Sequence, residues 1–491
     1  MFHMLLREEN MATQWTRSIG HRSVLNFAGA CLATVLSVAL GACSGGSSSS
    51  NTGTTTPPAA KTPVQVSMGD APSDWMLAFT MNISSMSLTG SNGSVSVISS
   101  PMPMEMMHLM GTMQPIAMIS VPQGTYTGAS ISISSVTVMY MDPVSLTPVQ
   151  ATIPGPINGN VTFSSVTVGS TPMALGFDLN LANSVTMGSS GALAMNPVFQ
   201  VTSGMQGSGN PLDPSDGGIQ EMMGVVSNVS GSTFSMSTIQ AAQNFTFSTN
   251  SSTVFDGTSM SSMGNGMIVI VDASLQSDGS LMATTVQSMM GSGGMMGGGI
   301  ITALTGQPAT SLTMVMQNGV GTGMMSSMFA SGAAVNLSGV SSYDIDDDNV
   351  DMTGLPFVPA FGSSNIYAGQ SVMPVSSTGM MSSGTGGGMM GGASMTGTIY
   401  ATKVELEPQG LSGTIATTLT SGVQNSFTLT LPTTCAFATL TGATSVTVYQ
   451  QAKTVISTGS SIASGSTVHV NGLLFKDNGQ WKMVAARMGS N

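Results

Sequence analysis

Met102, Met104, Met106, His108 and Met110 form the densest group of potential ligands in the chain. Side chains two apart on a strand share a face, so an extended segment would bring all five to one side. Thioethers with an imidazole are a donor set suited to soft Cu(I). The same residues also read as core, because the chain carries 45 methionines among 491 residues. Methionine fills irregular apolar gaps in place of leucine. The core reading is the expected one, so no resident metal or cofactor is assigned. Met104, Met106, His108 and Met110 stand as the candidates should a soft metal bind.

A second group is acidic. Asp344, Asp346 and Asp348 alternate within Tyr343-Asp344-Ile345-Asp346-Asp347-Asp348-Asn349-Val350-Asp351. An EF-hand wants Gly at the sixth loop position and Glu at the twelfth, where Asn349 and Leu355 stand, so that motif is rejected. A solvated acidic turn is expected, with a looser calcium site as the alternative. Asp70 and Asp74 have the residue types of a general acid and base, which would make a hydrolase. Their strand-to-turn setting points instead to capping of backbone amides. Cys435 sits in an apolar stretch and reads as a buried core thiol. No nucleophile elbow, zinc-protease helix or phosphate-binding Gly-Lys loop is present, and no catalytic residue is assigned.

The first 43 residues give an address. Arg17, His21 and Arg22 precede an apolar run from Val24 to Leu40, then Leu40-Gly41-Ala42-Cys43 and a Ser/Gly tract. Basic, apolar and small-residue regions in that order describe a secretory signal. The Leu-Gly-Ala-Cys end resembles a bacterial lipobox, which implies acylation of Cys43 and attachment to a membrane through lipid. A single transmembrane anchor is the other reading, but the run is short and interrupted for a spanning helix. Ser44 after the cysteine, in place of Asp, points to the outer membrane of a cell envelope.

Composition narrows the partners. The formal net charge is -12, and only 6% of residues are charged. Between Lys61 and Lys403 there is no lysine or arginine, whereas 16 Asp and Glu lie there. Phosphate backbones are bound by basic residues, so nucleic acid is excluded as a partner. With Cys31 in the leader and Cys43 acylated, Cys435 is the one thiol left, and no disulfide framework or cysteine-based zinc site can form.

The elements that must position these residues are strands. Ile131-Ser132-Ile133-Ser134-Ser135-Val136-Thr137-Val138 alternates with period two, as do Val64-Gln65-Val66 and Val161-Thr162-Phe163. In order along the chain come Gly69-Asp70-Ala71-Pro72-Ser73-Asp74, Val121-Pro122-Gln123-Gly124-Thr125-Tyr126 and Leu175-Gly176-Phe177-Asp178-Leu179. This set resembles the bacterial lipoprotein domain catalogued as domain of unknown function 4382, which implies a β-sandwich-like domain of no established activity. Further on, a loose repeat opens at Gly224, Gly299 and Gly413 and closes at Val286, Val404 and Arg487. Its pattern of strands is similar to domain of unknown function 5666, implying small OB-like barrels.

The expected organisation is a leader (1–43), a Ser/Gly/Thr/Pro tether (44–62) and a β-sandwich-like domain (63–200). A linker (201–217), a first barrel (218–288), a Met/Gly linker (289–298), a second barrel with insertions (299–408) and a third barrel (409–491) follow. The fold class is all-β. The expected function is a noncatalytic envelope lipoprotein, structural or binding, with a glycan or an envelope protein as ligand. Soft-metal binding is the alternative and hydrolysis the remote one.

Overall fold

The computed structural model describes residues 59–490, apart from 72, 110–111, 143, 189–190, 206–216, 242, 291–293, 322–325, 349, 379–380, 383–396, 417–424 and 458–461. Cys43, the leader and nearly all of the tether lie outside the described residues. Within them no helix is long and apolar enough to cross a membrane.

The first part is a two-sheet sandwich. Lys61–Ala71 pairs antiparallel with Met113–Pro122 and parallel with Met173–Asn180, which Phe199–Met205 flanks. The second sheet is built on Met76–Gly90, Gly124–Met141 and Pro148–Val168, with Gly93–Ile98 and Met102–Glu105 added to the first of these. Ile131 and Ile133 point into the core, and so do Val136 and Val138, although the two pairs are out of phase. The register shift between Ile133 and Ser135 absorbs the extra residue, so the doubled serine keeps both halves of the strand apolar-side-in. Phe79, Met81, Tyr126 and Phe177 fill the space between the sheets.

Three five-stranded barrels follow, all with one topology. In the first, Gly218–Ser230, Thr233–Ser237 and Phe245–Ser248 form an antiparallel meander. The fourth strand, Ile268–Leu275, returns beside the first, and the fifth, Leu281–Met290, lies antiparallel to the fourth and parallel to the third. The third barrel repeats this with Gln409–Ile415, Asn425–Thr430, Ser445–Ile456, Thr467–Asp477 and Gln480–Ser490, and closes completely. The second uses Gly299–Thr305, Ser311–Met316, Gly332–Asn336 and Ser371–Ser376; its fifth strand is broken into Gly397–Tyr400 and Lys403–Leu406. A meander closed by a parallel third–fifth pairing is the OB-like arrangement.

The repeat glycines explain themselves here. A Cβ on Gly224 would meet the carbonyl of Ser237, one on Gly299 that of Val315, and one on Gly413 that of Thr430. Each of these carbonyls belongs to the strand-two partner of the residue that follows the glycine. All three barrels therefore need a missing side chain at the same point of strand one.

One expectation changes. Met295 and Met296, inside the expected Met/Gly linker, pair as a short strand and are fully buried. The modules are also packed together. Leu77, Ala78, Met139 and Met141 of the sandwich share a cluster with Val315 and Ala330 of the second barrel and Ala436 near the third. Gln317 Nε2 donates to the carbonyl of Leu77 at 2.6 Å, and the Ala436 amide donates to Asp74 O at 2.7 Å.

Candidate functional site

The packed modules line a cavity of about 520 Å³. Each barrel turns the same strands toward it. The fourth and fifth strands contribute the pairs Ile270 with Gln287, Met373 with Glu405, and Asn471 with Arg487, directly opposite one another in register. The first strands contribute Gln220 and Glu221, then Gly299 and Ile300, then Gln409 and Gly410. The sandwich closes the cavity with Ser73, Asp74, His108 and Gln114.

Alternation places the charge. On Lys403–Leu406, Val404 and Leu406 point into the barrel core with no exposure, so Lys403 and Glu405 face outward, as does Glu407 beyond the strand end. The neighbouring Ser342–Ile345 runs parallel, setting Asp344 opposite Glu405, and the Asp346 amide donates to Leu406 O at 3.0 Å. Carboxylates thus oppose carboxylates across the ladder, a destabilising arrangement. Lys403 Nζ counters two of them, at 3.1 Å from Asp344 and 3.2 Å from Glu405. Burial, then the neighbouring carboxylates, pushes Asp346 and Glu407 well above the usual carboxylate range. At Glu405 burial outweighs the Lys403 pairing, and its carboxyl is also raised.

The first barrel adds Glu221 through a backbone irregularity. The register of Gly218–Ser230 shifts between Ile219 and Met222, and Glu221 takes φ 49°, where non-glycine residues are uncommon. Its amide donates to Asp272 Oδ1 at 2.8 Å, which holds the bulge. The third barrel supplies cations instead. Lys453 and Arg487 line the cavity, and Arg487 Nη2 donates to Gln220 Oε1 at 3.0 Å.

The residues singled out from sequence are dispersed. Strand pairing at Met102–Glu105 ends before Met106, and Met107–Leu109 is a 3₁₀ turn, so the expected single face of Met102, Met104, Met106, His108 and Met110 does not form. The cause is Glu105, fully buried, which accepts from the amides of Phe79, Met107 and His108 and from His108 Nδ1 at 2.9 Å. Those bonds cap the turn and bend the chain. Met104 and Met106 lie in the sandwich core, His108 borders the cavity, and Met110 is outside the described residues.

Asp70 and Asp74 do not form a pair either. Asp70 is buried in the sandwich, where its carboxyl is raised well above normal by burial and by Asp178 and Glu105; Asp74 lines the cavity near Ser412. The backbone amide of Leu181 pulls the Asp70 carboxyl the other way, and burial with the two carboxylates outweighs it. The solvated acidic turn also needs correction: Asp347 and Asp348 are exposed, but Asp346 is drawn into the cavity wall. Cys435 is a buried thiol at the cavity edge, pushed up to about 11 by burial. Among the described residues no three His, Cys, Asp or Glu side chains converge as a metal site.

Glu221, Asp272, Glu405, Glu407 and Arg487 were not singled out from sequence. In a chain with 6% charged residues, Lys403-Val404-Glu405-Leu406-Glu407, charged at every second position, was the available signal. Residues 223–287, the first barrel from its first strand through most of its fifth, match the family model Domain of unknown function (DUF5666). Neither the curated proteins nor the solved structures contain a match to the chain.

Proposed function

We propose that this chain is a noncatalytic binding module of a bacterial cell envelope, held at the membrane by lipid on Cys43, with its ligand seated in the central cavity. The observation that carries the reading is the convergence of equivalent strands from three barrels on one cavity of about 520 Å³. That volume lies in the range of small-molecule sites, and such sites favour the boundaries between modules. Amides and hydroxyls on the wall, among them Gln114, Gln317 and Ser371, offer hydrogen bonds that orient a bound solute. Of the two ligand classes expected from sequence, a concave cavity of this volume favours a small glycan over the surface of another envelope protein.

Two measurements test this. Cys43→Ala moves the protein from the membrane fraction to the soluble fraction if lipid holds it; unchanged partitioning rejects the anchor. Thermal-shift screening of the full chain with saccharides and small polar solutes should find a stabilising compound. Gln114→Trp, which fills the cavity from the sandwich side, should abolish that shift. A screen in which no compound stabilises the wild-type chain rejects the cavity as a binding site.

A further inference from the structure

We infer that the turn joining Gly124–Met141 to Pro148–Val168 is a membrane-docking tip, its Val144 and Leu146 entering the bilayer that holds the lipid anchor. The inference rests on the anchor at Cys43 and is independent of the cavity.

The first support is a pair of apolar side chains presented to solvent at a cost. Val144 is 89% exposed and Leu146 61%. Leu146 also takes φ 55°, in the left-handed region where a bulky residue is an outlier and Gly or Asn is the usual occupant. A leucine here strains the turn and gains little packing in return. Strain kept at an exposed apolar residue points to a partner outside the chain.

The second support is what surrounds these two residues, and it selects a bilayer over a protein. Asp142 accepts from the amides of Val144 and Ser145 and from the Ser145 hydroxyl, which also meets that of Thr147 at 2.7 Å. The polar side chains of the turn are thus spent on one another. A protein interface carries about one hydrogen bond per 100–200 Å² and needs such groups free. Hydrocarbon asks for the opposite, an apolar surface whose polar groups are satisfied internally. At the base of the turn Trp75 and Tyr140 are half-buried and meet edge to face at 5.6 Å, and the Met141 amide donates to Trp75 O at 3.4 Å. Amphipathic rings behind an aliphatic tip suit the headgroup level of a membrane.

The chain is long enough for both attachments. The Gln123 amide donates to Ala60 O at 2.7 Å, which sets Ala60 at the opposite end of Gly124–Met141 from the turn. That strand has 18 residues, ~60 Å at about 3.3 Å each. Ala60 lies 17 positions after Cys43, a reach of at most ~60 Å. Lipid and turn can therefore occupy one bilayer with the sandwich lying along its surface. With no lysine or arginine between Lys61 and Lys403, the docking draws nothing from anionic headgroups, and neutral lipid suffices.

Tryptophan fluorescence of the acylated full chain on phosphatidylcholine vesicles tests the inference. Trp15 precedes Cys43 and leaves with the leader, so Trp481→Phe makes Trp75 the reporter. Lipids brominated on their acyl chains are expected to quench Trp75. Val144→Ser and Leu146→Asn should each reduce that quenching and together abolish it. Val254→Ser, at an exposed valine of the first barrel, should leave it unchanged. Because Asn adopts the left-handed conformation readily, the melting temperature of Leu146→Asn should hold or rise while docking weakens. A fall in that melting temperature assigns the leucine to folding and overturns the inference. Quenching that survives the double variant overturns it too. A chain that floats with the vesicles while Trp75 stays unquenched rejects the docking and leaves the anchor standing. A chain that does not float rejects both.

Discussion

Arg487 Nη2 and Gln220 Oε1 meet at 3.0 Å across 267 positions of the chain, tying the last strand of the third barrel to the first strand of the first. Gln220 directly precedes Glu221, whose strained backbone is held by Asp272. The contact therefore sits where the cavity wall is least regular. Arg487→Ala is expected to cost about 1.5–3 kcal/mol in denaturant unfolding, the range for a hydrogen bond to a charged donor. Much of that loss should appear as coupling in a double-mutant cycle with Gln220→Ala.

The repeated glycines make a sharper prediction. Gly299→Ala and Gly413→Ala set a methyl against the carbonyls of Val315 and Thr430. Each should lower stability by about 1–3 kcal/mol, since the strand must move to admit the methyl. Gly332→Ala, where an added Cβ meets nothing, is the control and should leave the melting temperature nearly unchanged.

Glu105 accepts four hydrogen bonds inside the sandwich. Glu105→Gln replaces one acceptor oxygen with an NH₂ facing N–H donors. A loss of about 2–4 kcal/mol is expected from unfolding curves, because buried donors lose their partner. Near-UV circular dichroism of Trp75, which packs against the sandwich core, checks that the folded state persists.

Burial raises the Asp178 carboxyl to about 6. A carboxyl raised in the folded state binds its proton more tightly there than in the unfolded chain. Stability at this site is highest below pH ~4 and falls as pH rises toward 6. Asp178→Asn should therefore raise the melting temperature at pH 7.5 and change it little at pH 4. A shift of this size corresponds to at most about 3 kcal/mol. An equal effect at both pH values would contradict the assignment.

Strand periodicity made the fold readable. Ile131, Ile133, Val136 and Val138 announced a core strand, and the doubled Ser134-Ser135 between them marks the bulge. Gly224, Gly299 and Gly413 marked strand one of each barrel because a close backbone approach leaves a residue-type trace. The cavity left no such trace. Its walls come from Asp74, Glu221, Asp346, Glu407 and Arg487, which are far apart in sequence and meet only through packing between modules. Period-two reading also failed at Met106, because Glu105 draws its hydrogen bonds from three separate amides and bends the chain where alternation would continue.

One strand, Lys403–Leu406, divides two duties by parity. Val404 and Leu406 belong to the barrel interior, while Glu405 faces the cavity and Lys403 pairs with it outside. The first barrel's equivalent strand divides the same way, with Thr285 and Gln287 at the cavity and Val286 buried, whereas in the third a register shift brings Arg487 to the cavity two residues after buried Ala485. Outward positions on a shared scaffold can change charge while the inward ones keep their packing. Of the three copies of one fold, the first and second thus present acidic side chains to the cavity and the third basic ones, so charge can change in one copy at a time.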